Sequence, residues 1–412
     1  MRIATSQIYT SSVSTMENQQ SQLLQVQQQI SSGQAISNPG DDPLGAAQAV
    51  TLSATSATLT QYTSNQSTAL TALQLEDTTL SSVNTMLTNI NSLVISAQNG
   101  SLNDNDRQAI AKQMEGYRNQ LLTLANTTDG TGNYIFAGFQ TTAQVFTNKS
   151  GGGVTYNGDS GQRVMQVAGT RTLAVGDTGS SVFQSVQAVG TDIVPSGSLT
   201  NTGTGVISAV TVSDPTQATN NDSYAINFTT DSSGNLAYTV TDKTTGTTSA
   251  TPIAYTEGSA IQLGSGMSVT MSGTPVSGDA FGVTPATSSQ NSDVFASIDN
   301  IISALNTATG NTPTGVANMT NALNTGLTQL GNSISNVTTV QASVGGREQE
   351  VKALQTVTST NSLQITSNLD DIMSTNTVAA ISQYEQLSNA LTASQKSFAA
   401  TQNLSLFQYI NP

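Results

Sequence analysis

The chain has 412 residues, only 9% of them charged, with 11 basic against 25 acidic and neither cysteine nor histidine. That length predicts two or three domains rather than one core. The missing residue types exclude disulfides, thiol nucleophiles, thiolate or imidazole metal sites and Ser-His-Asp catalysis. No Lys/Arg cluster tracks a phosphate backbone, and no apolar run reaches membrane-spanning length, so neither nucleic acid nor membrane is an expected partner. The first residues lack the apolar core of a secretory signal, which predicts export, if any, without a cleaved leader. Ser, Thr, Asn, Gln and Gly stand where charges usually do, a composition suited to surfaces packed against other protein copies.

In residues 1–32, Tyr9, Met16, Leu23 and Ile30 fall one heptad apart among glutamines, and Gly33 is placed to end a helix. A turn cluster follows, closing on Asp42 as N-cap and Pro43 as first helical residue. Between Ala46 and Asn99 there is no Gly or Pro. Leu52, Leu59, Leu73, Leu80, Leu87 and Val94 form one heptad row, broken at Gln66. Tyr62, Ala69, Val83, Ile90 and Ala97 form a second, interrupted at Glu76. The two rows predict a single helix roughly 80 Å long, with Gly100 as its stop. Asn103 and Asp106 have capping-box spacing before a third stripe, Ile110, Met114, Tyr117, Leu121 and Leu124.

From Tyr134 to about residue 287 helical periodicity gives way to short alternating runs such as Tyr224/Ile226/Phe228 and Met267/Val269/Met271, which predict antiparallel β-structure. Pro195-Ser-Gly-Ser198 reads as a joint between two β parts. Helical spacing returns near Asp293, with Leu323 and Leu330 on its main row and Gly345-Gly346 as a break or kink. From Arg347 to Asn411 nothing punctuates the helix. Ile381, Tyr384, Leu387, Leu391 and Phe398 carry the last seam, and Leu404 and Phe407 belong to an apolar tail.

The fold expected is mainly α with an inserted β domain: a long antiparallel helical bundle or coiled-coil rod from the N- and C-terminal segments, with central antiparallel β modules. Its expected domains are 1–33 with 375–412 as a terminal assembly domain, 34–194 with 288–374 as the rod, with β-hairpins at 134–194, and 195–287 as the β insertion. Leu52, Leu59, Leu73, Leu80, Leu87, Val94, Leu121, Leu323 and Leu330 are its expected core. Tyr9, Met16, Leu23, Ile30, Ile381, Tyr384, Leu387, Leu391, Phe398, Leu404 and Phe407 are expected to meet partners, since apolar stripes without charged flanks suit an assembly.

Several motifs tempt a chemical reading and fail it. Gly151-Gly-Gly153 is followed by no Gly-Lys-Ser/Thr and reads as a turn. Asn103-Asp-Asn-Asp106 lacks the glycine and closing glutamate of a calcium loop. Asp41-Asp42 reads as turn and cap, and Asp370-Asp371 as an exposed helical pair. No catalytic residue, metal or cofactor is expected.

Seven stretches in order carry a resemblance: Met1-Arg-Ile-Ala-Thr-Ser-Gln7, Gln27-Gln-Gln-Ile-Ser-Ser-Gly33, Pro39-Gly-Asp-Asp-Pro43, Gly132-Asn-Tyr-Ile-Phe-Ala-Gly138, Tyr156-Asn-Gly-Asp159, Val344-Gly-Gly-Arg347 and Leu404-Ser-Leu-Phe-Gln-Tyr-Ile410. On these the chain resembles the flagellin superfamily, and within it the subunits that join hook to filament rather than those that build the filament. Gly40, where the family has Ala, and the doubled Gly345-Gly346 depart from the pattern. The resemblance implies a structural protein of the bacterial flagellum, exported unfolded through the type III channel to the cell exterior. It implies terminal helices disordered in the monomer. The implied partners are further copies in a ring, the first hook-associated protein, flagellin, and an export chaperone on the C-terminal helix. The competing readings are a flagellin filament subunit and, from another class, a coiled-coil surface adhesin, which would carry a secretory signal and a membrane anchor.

Overall fold

The computed structural model describes residues 2–187 and 190–403. Helices α1 (Arg2–Ser32), α2 (Pro43–Ala97) and α3 (Asp104–Ala125) come first. Strands β1 (Phe146–Asn148), β2 (Val154–Tyr156), β3 (Val164–Gln166) and β4 (Thr172–Ala174) follow, then a short helix α4 (Gly179–Phe183). Next come β5 (Val194–Gly197), β6 (Val206–Ile207), β7 (Thr211–Val212), β8 (Tyr224–Thr230), β9 (Leu236–Asp242) and β10 (Ile253–Ala254). After them lie β11 (Ile261–Leu263), β12 (Met267–Val269), β13 (Met271–Ser272) and β14 (Ala280–Thr284), then α5 (Val294–Asn306), α6 (Pro313–Met373) and α7 (Thr377–Asn403). Two compact units divide the chain, Met1–Asn65 with Ala353–Pro412 and Gln66–Lys352, so both boundaries fall inside the long helices α2 and α6.

In the terminal unit α1 packs on α7. The linker after α1 is tied to the end of α6: the Ala35 amide donates to Met373 O (2.7 Å) and the Thr375 amide to Gly33 O (3.0 Å). Asp42 caps α2, its Oδ1 accepting from the Leu44 and Gly45 amides at 3.1 and 3.0 Å. The unpunctuated run after Arg347 does not stay helical throughout. It breaks at Ser374–Asn376, where the Asn376 side chain accepts from the Ala379 amide (3.1 Å) and starts α7. Local capping by Asn does here what Gly or Pro does elsewhere.

In the second unit the later part of α2 and the first part of α6 form the core with α3 and α5. Leu73, Leu80, Leu87, Val94, Leu121, Leu323 and Leu330 have no exposed surface. Leu52 and Leu59, on the same α2 row, lie in the terminal unit and are only half-buried. There the helices cover one flank of the row, so the seam is half a core. α3 turns differently from its predicted stripe. Its buried face is Arg107, Ala111, Met114, Arg118, Leu121 and Ala125, and Ile110, Tyr117 and Leu124 sit at the edge. Its start is a complete capping box between Asn103 and Asp106, not a cation loop.

Three other expectations change. α2 stops at Ala97, ahead of Gly100. α6 runs unbroken through Gly345-Gly346, held by Val344 and Val351, both fully buried on either side. Pro195 lies within β5, which already begins at Val194, and is not a joint. β5 is the outer strand of a five-stranded antiparallel sheet ordered β10-β9-β8-β14-β5, pairing Pro195 with Val283. An edge strand tolerates a residue without N–H, because one side of it needs no donor. That sheet, with the three-stranded β11-β12-β7 and the pair β13-β6, encloses a core of Ile207, Tyr224, Ile226, Phe228, Phe281 and Val283 with the three buried methionine and valine positions of β12–β13.

Candidate assembly surface

The terminal helices bury very little. Among the described side chains of α1 and α7 the buried apolar ones are Val26 and Ala380. Met16, Leu23 and Ile30 of α1 and Tyr384, Leu387, Leu391 and Phe398 of α7 are half-buried. Tyr9 and Phe398 meet with ring centroids 5.2 Å apart, yet Tyr9 remains 53% exposed. Ile381, expected on the seam, is 48% exposed, because the buried edge of α7 runs through Ala380, Tyr384 and Leu387 one position away. Leu404 and Phe407 lie outside the described residues. Nine of the sixteen large exposed apolar side chains among the described residues belong to the terminal unit, which holds fewer than a third of the chain. All six described ion pairs lie between Asp104 and Lys352, so the terminal unit has none among the described residues. A groove of about 300 Å³ between α1 and α7 is floored by Ser11, Thr15, Ala393, Ser394 and Ser397, small side chains that leave holes for knobs. A second, of about 600 Å³, lies between Ala47, Thr51 and Leu52 of α2 and Asn368, Asp371 and Ile372 of α6.

The second unit shows the opposite chemistry. A polar stripe on α6 runs Thr314, Asn318, Asn321, Thr325, Gln329, Asn332 and Asn336, at helical spacings of three or four. Most of these side chains take main-chain groups of the β segments. Asn321 accepts from the Ile207 amide (3.0 Å) and donates to Gly205 O (2.9 Å). Asn332 accepts from the Asp192 amide (2.6 Å) and donates to Asp192 O (2.7 Å), and Asn336 donates to Ser181 O (2.9 Å). Thr325 reaches Pro195 O (2.7 Å) and Asn318 reaches Asn201 O (2.9 Å). The stripe therefore sets the register of the β segments on α6 by satisfying buried backbone, a constraint that apolar packing alone does not impose. Apolar heptad reading passes over it, although the spacing of the amides is itself helical. We expect Asn321→Leu to cost about 1–3 kcal/mol for each main-chain group left unpaired. Urea unfolding gives the loss, and hydrogen exchange at the Ile207 amide should rise with it. An unchanged exchange rate there would remove the assigned role.

Buried charge supplies the other fixed points. Arg118 grips Asp299 with both arms, Nε to Oδ1 and Nη2 to Oδ2 at 3.0 Å each. It also donates to Asn148 Oδ1 and, at 3.3 Å, to Gly153 O, and lies 5.5 Å above the Phe295 ring. Asp299 returns a bond from the Gly153 amide (2.7 Å). Gly151, Gly152 and Gly153 all have φ between +75° and +101°, so the glycine run is the β1–β2 turn pressed onto α5. Arg107 donates to Asp104 and Thr309, and the Thr309 hydroxyl holds the Asp104 carboxyl below its usual range.

The two polar interruptions of the α2 rows are buried contacts as well. Gln66 Nε2 donates to Val167 O at 2.7 Å. Glu76, 2% exposed, accepts from the Asp177 amide at 2.9 Å, and its Oε2 has no partner. Asp177 is itself paired with Arg347. Burial first, and then the Asp177 charge, push the Glu76 carboxyl up from 4.5 to about 7. Below about pH 4.5 it is protonated in folded and unfolded chain alike and costs nothing. Above about 7 it is ionised in both, and the folded state carries the whole penalty, so stability falls as pH rises between these values. Glu76→Gln keeps the bond to Asp177 and removes the titration. It should gain about 1–3 kcal/mol at pH 8 and almost nothing at pH 4.5. Urea midpoints at the two pH values read this, and equal pH slopes for parent and variant would refute it.

The motifs of the middle of the chain interlock in space. Ile135, Phe136 and Ala137 are buried, and Phe136 joins Phe183, Phe146 and Phe295 in a cluster of rings 5.4 to 5.9 Å apart. Gly138 has φ +70°, and a Cβ there would sit 2.3 Å from Asp159. Asp159 in turn accepts from the Phe139 and Gly161 amides, and the Tyr156 hydroxyl donates toward Asp159 O (2.7 Å) and Phe136 O (3.1 Å). Arg347 of Val344-Gly-Gly-Arg347 closes the set by donating to Ala174 O (3.2 Å). Among the described residues no three His, Cys, Asp or Glu side chains converge as metal ligands.

Comparison with known proteins agrees with this architecture. The family model of the bacterial flagellin N-terminal helical region matches residues 3–141. Flagellar hook-associated protein 3 of Escherichia coli is 28% identical over 99% of this chain and 99% of its own. Its counterpart in Salmonella typhimurium is 39% identical over 45% of this chain and 58% of its own. The crystal structure of the flagellar junction protein FlgL from Legionella pneumophila superposes with a TM-score of 0.66 at 28% identity, covering 79% of this chain and all of that one. With its flagellin-type N-terminal region, its inserted β module and its end-to-end match, the chain is similar over nearly its whole length to flagellar hook-associated protein 3.

Proposed function

We propose that this chain is a structural subunit of the bacterial flagellum that joins the hook to the flagellin filament, and not an enzyme. The observation that carries this reading is the end-to-end similarity to a protein named for that place, over 99% of both chains. The terminal unit supports it physically: its helices are almost uncharged, expose large apolar side chains and carry a groove lined mostly by small residues. Such helices gain their ordering energy when neighbours bury them. In this reading α1 and α7 are poorly ordered in the free monomer and become rigid in the assembly. The partners are further copies of the chain in a ring, the first hook-associated protein on one side and flagellin on the other. An export chaperone holds the C-terminal helix beforehand. The protein leaves the cell unfolded and works outside it.

Addition of purified protein to two kinds of end tests the reading. On hooks capped by the first hook-associated protein, electron microscopy should show one added layer and no further growth. On filament seeds, light scattering should stay flat. Long filaments from the seeds would make the chain a flagellin instead.

A further inference from the structure

The chain holds two Asn-Gly pairs, Asn99-Gly100 and Asn157-Gly158, and their surroundings differ. In such a pair the main-chain nitrogen of the glycine reaches the side-chain carbonyl carbon of the asparagine, because no Cβ stands in the way. Asn157 is locked: its Nδ2 donates to Gln144 O (3.1 Å) and Thr147 Oγ1 (3.3 Å), and its amide to Val145 O (2.8 Å). Gly158 is walled in, since a Cβ there would meet the Tyr156 hydroxyl at 2.5 Å and Ala137 O at 2.8 Å. Asn99 is open. Both it and Gly100 are exposed, and nothing lies within 4 Å of a Cβ built on Gly100. The Asn99 Oδ1 accepts from the Ser101 amide at 3.0 Å, which draws electron density from the carbon to be attacked. Its Nδ2, the leaving group, and the Gly100 amide, the nucleophile, donate to no described residue. The related pair Asp129-Gly130 is held as a carboxylate by the Thr131 hydroxyl (2.7 Å) and the Asn133 amide (2.9 Å), and a carboxylate carbon resists the same attack.

We propose that Asn99 is a site of spontaneous deamidation, through which the turn between α2 and α3 acquires aspartate and isoaspartate. Hydroxide removes the Gly100 amide proton, and the nitrogen bonds to Asn99 Cγ. The Cγ–Nδ2 bond breaks, Nδ2 takes a proton from solvent and leaves as ammonia, and a five-membered imide remains. One water then opens the imide at Cγ to give aspartate, or at the main-chain carbonyl to give isoaspartate. No oxidant or reductant takes part. Either product adds a negative charge. Isoaspartate also lengthens the main chain by a methylene in the turn where the Leu102 amide donates to Asn99 O (3.1 Å), one residue before the Asn103 cap.

The test is incubation of the full-length protein at pH 5 and pH 8, followed by peptide mapping and labelling with isoaspartyl methyltransferase. Asn99 should convert at least ~10-fold faster than Asn157, whose amide must first surrender its hydrogen bonds. The rate should rise with pH, and the two sites should converge in urea. Gly100→Ala, which meets open space, should slow Asn99 severalfold in a protein with an unchanged melting temperature. Equal rates at the two sites in the folded protein, or an intact Asn99 after Asn157 has converted, would overturn the proposal.

Discussion

A Phe398→Asp variant should fall to background in incorporation at capped hook ends while residues 66–352 remain folded. Phe398 is half-buried in the monomer, against Tyr9 at 5.2 Å. A carboxylate there still reaches water, and the free chain therefore loses little. In an assembly that covers α1 and α7 the same carboxylate would be buried in a unit with no ion pair among its described residues. An unpaired carboxylate carries a penalty of several kcal/mol, repeated in every copy. Phe398→Leu keeps the apolar contact and should retain most incorporation. Sedimentation with hooks reads the loss, and near-ultraviolet circular dichroism checks the second unit, which holds the phenylalanine cluster. Chymotrypsin provides a third reading: the free monomer should be cut at Tyr9, Tyr384 or Phe398 far sooner than the assembled protein. Normal incorporation of the aspartate variant would remove the terminal seam from the interface.

Arg118→Ala should be the most damaging single change in the second unit, costing about 3–5 kcal/mol. Arg118 is where α3, the β1–β2 hairpin and α5 meet, through Asp299, Asn148, Gly153 and the Phe295 ring. Truncation leaves Asp299 largely buried with one main-chain donor, the Gly153 amide. It also opens a cavity beside the aromatic cluster. Against a usual total of about 5–15 kcal/mol, that is a large share. Arg118→Met combined with Asp299→Leu should recover part of the loss, because no charge is then stranded. Recovery stays incomplete, since the Gly153 amide loses its acceptor. Urea unfolding of the parent, the single variants Arg118→Met and Asp299→Leu, and their double variant gives the coupling directly. A loss below about 1 kcal/mol for the alanine variant would mean the pair is solvated, as exposed pairs are.

The chemistry of the two units accounts for what each can do. The second unit pairs most of its buried polar groups internally, with Glu76 Oε2 an exception, and holds its β segments by the amides of α6. The terminal unit leaves apolar surface and a small-residue groove open and has almost no charge to specify a two-helix pairing. One is complete within the chain. The other leaves surface that neighbours would complete in the proposed assembly.

Much of this was legible in the sequence by itself. Heptad rows, the Asp42 and Asn103 caps and the alternating runs of β8, β9, β12 and β14 determined the helix–β–helix plan, and the motif order carried the resemblance to the flagellin superfamily. Those signals are local, because a helix or strand repeats its exposure every few residues whatever it packs against. The tertiary structure alone decided the rest. Glu76 and Gln66 read as flaws in a stripe and Arg118 lies off the predicted one, yet each is buried by a partner at least 100 residues away in Asp177, Val167 or Asp299. Pro195 reads as a joint until β14 pairs with it, and Leu52 reads as core until the helices around it are seen to cover one side. Whether a polar side chain is solvated or satisfied, and whether an apolar row is fully or half covered, depends on which distant backbone arrives beside it. Periodicity carries no information about that arrival.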